Sequence, residues 1–230
     1  MLSTFDQLRI ALSSAYPITV LVSPEEDRQE NLLKRFGAAA KPNPLPVMVW
    51  NCVDGFLEMA TDGHRDPMEA LAWIAADAPR GLYLLKDFDG MLDDRLIRRR
   101  LRDTAMKVRN AGKFIFLLQQ NAELPDSIKP LAYIVVSLFP DDGEIRSLVS
   151  GLLAKRISNE NLVERLIASL KGMSLTESEH LLRRLLDRHA DLTEEFFQEV
   201  LDEKEQITRK EGILEFVPPD STLDQLGGLD

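Results

Sequence analysis

The sequence predicts an α/β protein: a five-stranded parallel sheet with helices on both faces, followed by a helical bundle. Three observations predict it. Five short β-type runs, Ile18–Val22, Val47–Asn51, Gly81–Asp87, Lys113–Gln119 and Ala132–Ser137, are separated by stretches of helical or turn chemistry, and strands joined by crossovers pair in parallel. The runs are apolar along most of their length instead of alternating, as expected of strands covered on both faces. From Phe139 onward the period turns helical, and no comparable run returns before Ile213.

Each element has its own local cause. Phe5, Leu8, Ile10 and Leu12 mark an opening helix over Thr4–Ala15, stopped by Pro17. Ile18–Val22 follows as the first strand, Ser23-Pro24 turns the chain, and a helix from Glu25 to Phe36 is predicted to end at Gly37. A proline-rich loop, Lys41–Pro46, leads to the uncharged strand Val47–Asn51, and the pattern then weakens between Gly55 and Arg65. Asp66 and Pro67 read as the N-cap and first position of a helix carrying Met68, Leu71, Trp73 and Ile74. A longer helix over Asp93–Asn110 stops at Gly112, and turn residues at Asn121–Pro130 precede the fifth strand. Helical periods then cover Asp142–Ala154, Asn159–Leu170, Ser174–His189 and Thr193–Lys210; Ser174-Leu175-Thr176-Glu177 has the form of a capping box. These shifts divide the chain into an α/β body at 1–138, a helical part at 139–212, and an edge strand with linker at 213–230.

The last ten residues, Ser221–Asp230, place Leu223, Leu226 and Leu229 at helical spacing beyond Pro218-Pro219. A stripe that short cannot bury itself. The expectation is that it opens a further domain.

The 230 residues suffice for a sizeable core. A net charge of -10 argues against a general binder of nucleic acid or anionic membrane. No run is long enough to span a membrane and the N-terminus lacks a signal-peptide layout, so the expected location is the cytoplasm or an equivalent aqueous compartment. Cys52 reads as a small buried apolar residue, and His64, His180 and His189 are scattered, which leaves no metal-ligand spacing.

A strand, turn and helix near the N-terminus is where a nucleoside triphosphatase carries G-x-x-x-x-G-K-[ST], whose amides and lysine cradle phosphate. Here the turn reads Ser23-Pro24-Glu25-Glu26-Asp27-Arg28, with neither glycine nor lysine. Proline deletes an amide donor. Each close carboxylate–phosphate contact would cost on the order of 4 kcal/mol at an effective dielectric near 20. The turn is therefore expected to hold no cofactor. Asp87 and Asp89, at the end of the third strand, stand where magnesium and catalytic carboxylates are found in phosphoryl transfer. The other reading is that they satisfy loop amides, and Gln119-Gln120-Asn121 at the fourth strand's end reads as a loop in the same way. Arg95, Arg98, Arg99, Arg102 and Arg109 share one face of the Asp93–Asn110 helix, opposite Leu92, Leu96, Ile97, Leu101, Ala105 and Val108. That stripe is either a solvated face or a docking surface for an acidic partner or neighbouring subunit.

Several stretches carry a family resemblance through their order. They are Pro24-Glu25-Glu26-Asp27-Arg28, Leu85-Lys86-Asp87-Phe88, Leu124-Pro125, Phe139–Arg146, Met173–Glu177, Glu203-Lys204, Ile213–Phe216 and Leu226-Gly227-Gly228-Leu229. Over essentially its whole length the chain resembles the N-terminal region of AAA+ ATPases encoded in cyanobacteria and red-lineage plastids, the "hypothetical chloroplast reading frame" type. The resemblance implies a P-loop-NTPase-like, degenerate AAA+ body, a lid-like helical part, and a following module that binds ATP and magnesium. The implied partners are that module, neighbouring subunits and a remodelled protein, with no membrane. Lys129 precedes the fifth strand where an arginine finger would be sought, and Arg146 and the helix at Ser174 fit the lid layout. The expected function is a non-catalytic regulatory, assembly and partner-binding domain. The alternatives are an unorthodox magnesium-dependent nucleotide hydrolase using Asp87 and Asp89, and a clamp-loader-like, nucleic-acid-associated module.

Overall fold

The computed structural model describes residues 3–14, 16–59, 63–153, 159–189 and 191–210. The expectations for Ile213–Val217 and Ser221–Asp230 lie outside the described residues. The chain divides into two compact units, Met1–Leu138 and Phe139–Asp230.

The first unit is a sheet between two helical layers. Its strands are β1 (Ile18–Val22), β2 (Val47–Asn51), β3 (Gly55–Phe56), β4 (Gly81–Lys86), β5 (Lys113–Gln119) and β6 (Ala132–Val136), in the order β3-β2-β4-β5-β1-β6. The five longer strands are parallel, with Val20 aligned on Leu117 of β5 and on Ile134 of β6. β3 is an addition to the five expected strands: it pairs antiparallel with β2, Trp50 opposite Phe56. Two residues are too few to show an alternating pattern, so this stretch looked structureless in the sequence.

Alternation along the strands feeds two cores. Ile18, Val20, Val22, Tyr83, Leu85, Ile115 and Leu117 face α3 (Pro67–Ala75) and α4 (Arg95–Val108). Leu21, Leu82, Leu84, Phe116, Leu118 and Val135 face α1 (Thr4–Ser13) and α2 (Glu26–Ala38). Burying each such side chain stabilises by roughly 1.5–3 kcal/mol. The hydroxyl of Thr104 donates to the carbonyl of Leu71 at 3.0 Å and ties α4 to α3. Asp66 caps α3 ahead of Pro67, and Asp94, one residue beyond the expected start, caps α4 by accepting from the amide of Leu96 at 2.6 Å.

Two boundaries differ from expectation for local reasons. α2 runs through Gly37 to Ala38; a Cβ on Gly37 would stand 2.2 Å from the carbonyl oxygen of Leu45, so this glycine permits a close approach and does not stop the helix. β4 ends at Lys86 because Asp87 enters the left-handed region, at φ 53°, and turns the chain out of the sheet.

The second unit packs α5 (Asp142–Leu153), α6 (Glu160–Leu170), α7 (Leu175–Arg188) and α8 (Glu194–Lys210) around Ile145, Val149, Ile167, Leu182, Leu185 and Phe196. The capping box opens α7: Ser174 accepts from the amide of Glu177 at 3.1 Å, and Glu177 accepts from the amide of Ser174 at 2.8 Å.

Candidate functional site

In an open parallel sheet ligands bind beyond the carboxyl ends of the strands, and here that edge holds the Ser23–Arg28 turn between β1 and α2. The turn is filled from within. Arg28 is 5% exposed and its side chain points inward: Nη2 donates to the carbonyl and, at 3.0 Å, to the hydroxyl of Ser137. Its Nε lies 3.1 Å from Oε2 of Glu25, whose side chain is 7% exposed. Gln29, fully buried, donates to the hydroxyls of Ser23 at 3.2 Å and Ser137 at 3.0 Å. The Thr4 hydroxyl meets that of Ser137 at 3.2 Å. The amide of Glu25 is spent on the Ser23 hydroxyl, at 3.2 Å, and that of Ser23 on the carbonyl of Gln119, at 3.0 Å. A buried charge is tolerated when paired and hydrogen-bonded, and Arg28 is both.

The three acids of this turn therefore differ, where the sequence suggested three alike. Glu25 is buried against Arg28, Asp27 is exposed, and Glu26 faces a lysine supplied by another element. Lys86 reaches from the end of β4 to Glu30 at 2.9 Å and Glu26 at 3.5 Å. Burial works to lower the Lys86 pKa, but its bonds and charges toward Glu30 and Glu26 outweigh this and raise it. For Glu30, burial works upward, and the lysines Lys34 and Lys86 outweigh it and hold the carboxyl below its ordinary value. The signal that could have found this cluster is the i, i+4 spacing of Glu26 and Glu30 opposite the one charge in the Gly81–Lys86 run.

Asp87 and Asp89 are exposed on either side of the buried Phe88. Asp89 opens a short 3-10 turn and lines a cavity of about 390 Å³ with Asp93, Arg98, Asn121 and Glu123. No cluster of His, Cys, Asp and Glu suited to a metal ion occurs among the described residues. Gln119 donates to the carbonyls of Asn121 at 2.7 Å and Glu123 at 3.1 Å, so its amide organises the loop beyond β5. Lys129 pairs with Asp126 at 2.7 Å.

The arginine stripe on α4 is uneven. Arg98 turns back to the carbonyls of Leu92 and Asp93, at 2.7 and 3.2 Å, and Arg99 pairs with Asp103 at 3.0 Å. No hydrogen bond or ion pair engages the side chains of Arg95, Arg102 or Arg109 among the described residues. Leu96, placed on the apolar face by the sequence, is 66% exposed, because its position falls between the two faces. Arg100, on the flank toward α3, was outside the stripe read from the sequence. Cys52 is exposed, against the buried position expected of it: it sits in the turn between β2 and β3, where the Asn51 side chain accepts from the amides of Val53 and Asp54.

Comparison with known proteins places this geometry. Residues 4–136 match the model of the SpoVK-like AAA ATPase N-terminal domain, and residues 143–211 that of the second domain of the same ATPases. The chain belongs to the SpoVK-like AAA ATPase family. Among curated relatives, the uncharacterized AAA domain-containing protein ycf46 of Pyropia yezoensis is 28% identical over 231 residues, covering 97% of this chain and 46% of its own length. The corresponding protein of Trieres chinensis is 26% identical, covering 98% and 46%. The chain thus spans just under half the length of these relatives. Solved structures share the fold at low identity. A chain of the HORMA:CdnC:Trip13 complex from E. coli MS115-1 superposes with a TM-score of 0.54 at 14% identity, over 91% of this chain and 79% of its own. Domain III of the Thermotoga maritima replication initiation protein DnaA does so with 0.52 at 14%, over 87% and 90%.

In the part that matches the family's second domain, Arg146 of α5 forks between Glu160, at 2.9 Å, and Glu164 of α6. Arg165 pairs with Glu194 and lies 4.2 Å from the ring centroid of Phe197. These contacts join helix to helix inside the unit. His180 is exposed, and His189 meets Glu199 at 3.0 Å. No described helix is long and apolar enough to cross a membrane.

Proposed function

We propose that this chain is a non-catalytic regulatory, assembly and partner-binding domain of an AAA ATPase, whose ATP-hydrolysing module, with its magnesium, lies in the part of the relatives that the chain does not span. The observation that supports the reading is the buried Arg28. Its guanidinium, with Glu25 and Gln29, occupies the start of α2, where a phosphate-binding loop would keep amides free for its ligand. Glycines that would let a backbone wrap phosphate are missing from Ser23–Arg28, and Pro24 offers no amide.

The partner surface in this reading is the exposed side of α4, carried by Arg95, Arg102 and Arg109; the partners are the ATPase module, neighbouring subunits and a protein that the assembly remodels. The assigned location is the cytoplasm or plastid stroma. The test is calorimetry of the 230-residue chain with MgATP. No saturable heat is expected, and micromolar binding would overturn the reading. Steady ATP turnover that disappears in Asp87→Ala would establish a hydrolase in its place. A salt-sensitive shift of DNA, lost in Arg99→Glu, would establish the nucleic-acid-associated module.

A further inference from the structure

A groove of about 730 Å³ runs between α3 and α4, on the flank of α4 away from Arg95 and Arg102. The floor is aromatic and held in place. Trp73 is half-buried and packs on Phe56 at 4.8 Å, on Tyr83 at 6.1 Å and, at 30° to its plane, beside His64 at 5.7 Å between centroids. His64 takes a positive φ of 53°, and its carbonyl is fixed by the indole N–H of Trp50 at 2.7 Å. Met59 adds an apolar wall.

The two long walls differ in charge. α4 contributes Arg100 and Lys107, seven positions apart and so on one flank, while the α3 side contributes Glu69 and Asp77, both exposed. Asp77 acts on Lys113. The decisive group is Arg100: it lines the groove, is only partly buried, and its guanidinium meets no hydrogen-bond acceptor or carboxylate among the described residues. An unpaired, partly desolvated guanidinium is strongly favoured by an anionic acceptor. A doubly charged phosphate would face Glu69 and Asp77 across the groove, whereas a single carboxylate beside an apolar group matches both Arg100 and the Trp73 floor.

We propose that this groove binds a short peptide that presents an Asp or Glu carboxylate to Arg100 and lays an adjacent large apolar side chain on Trp73. The site is separate from the Ser23–Arg28 turn and from the arginine stripe, so it stands whether or not the chain binds nucleotide. Only two tryptophans occur in the sequence, Trp50 and Trp73. Trp50 is fully buried, so Trp73 emission reports occupancy of the groove.

The test uses a random peptide display library selected on the 230-residue chain. Enrichment of peptides with Asp or Glu next to Leu, Ile or Phe is expected. A synthetic peptide of the enriched sequence should shift the emission of Trp73, a response absent in Trp73→Phe. Arg100→Gln, with its melting temperature checked, should weaken the peptide by roughly tenfold to a hundredfold, the scale of a lost charged hydrogen bond. Lys107→Gln, at the rim, should weaken it less. The proposal is overturned if no acidic-apolar sequence is enriched, if Arg100→Gln binds equally, or if binding leaves Trp73 emission unchanged.

Discussion

Arg28 donates to the hydroxyl of Ser137 at 3.0 Å, across 109 positions of sequence, and so joins the first turn of α2 to the segment that follows β6. Removing one partner of a buried ion pair strands the other. Arg28→Met should destabilise the first unit by about 3–5 kcal/mol because Glu25 is left charged and unpaired. Urea unfolding followed by tryptophan emission, both tryptophans lying in the first unit, measures this, and the double change Arg28→Met, Glu25→Leu should recover most of the loss.

The Lys86–Glu30 pair makes stability depend on pH at both ends. Glu30 is held below its ordinary value, so its contribution is present above the unfolded glutamate pKa of about 4.3 and is lost as pH falls through the folded value. Lys86 is raised, so its contribution is present below the unfolded lysine pKa of about 10.4 and is lost as pH rises through the folded value. Glu30→Gln should therefore cost about 1 kcal/mol near neutrality. Melting curves from pH 3 to 11 should converge with wild type at the acid end.

Burial of Tyr83 pushes its phenol up to about 12. The phenol also donates to the carbonyl of Pro79. Of the three tyrosines, one should give its phenolate absorbance only near that pH in the folded protein. Tyr83→Phe should abolish this late step. The sign is again that of a raised group: stability present below the unfolded tyrosine pKa of about 10 is lost as pH climbs beyond it.

Gly37→Ala tests the close approach of α2 to Leu45. Helix propensity alone favours alanine by about 1 kcal/mol. The new Cβ would stand 2.2 Å from a backbone oxygen that cannot swing aside, so the net outcome should be destabilisation by about 1–3 kcal/mol in the same urea assay.

The sheet was legible in the sequence because the Val20, Leu84 and Leu117 strands are buried on both faces and read as unbroken apolar runs. The caps at Asp66 and Ser174 were legible because capping chemistry is local. Most of what escaped at the candidate site was non-local. Arg28 reads as one more charge at a helix start until Ser137 is brought beside it by the β1–β6 pairing. Lys86 and Glu30 meet only because α2 crosses the end of β4. The strand Gly55–Phe56 is too short to carry a period, and the exposure of Cys52 is decided by a turn, not by the cysteine's own hydrophobicity.

A diffusible anion or nucleotide comes and goes with its concentration. The guanidinium at the start of α2 is attached to the backbone one residue after Asp27 and hydrogen-bonds to Ser137; it has no dissociation constant to set against a cellular level. This corner of the fold is thus a side-chain cross-link made of the chain's own groups, which ties the end of β1, the first turn of α2 and the residue after β6 to one another.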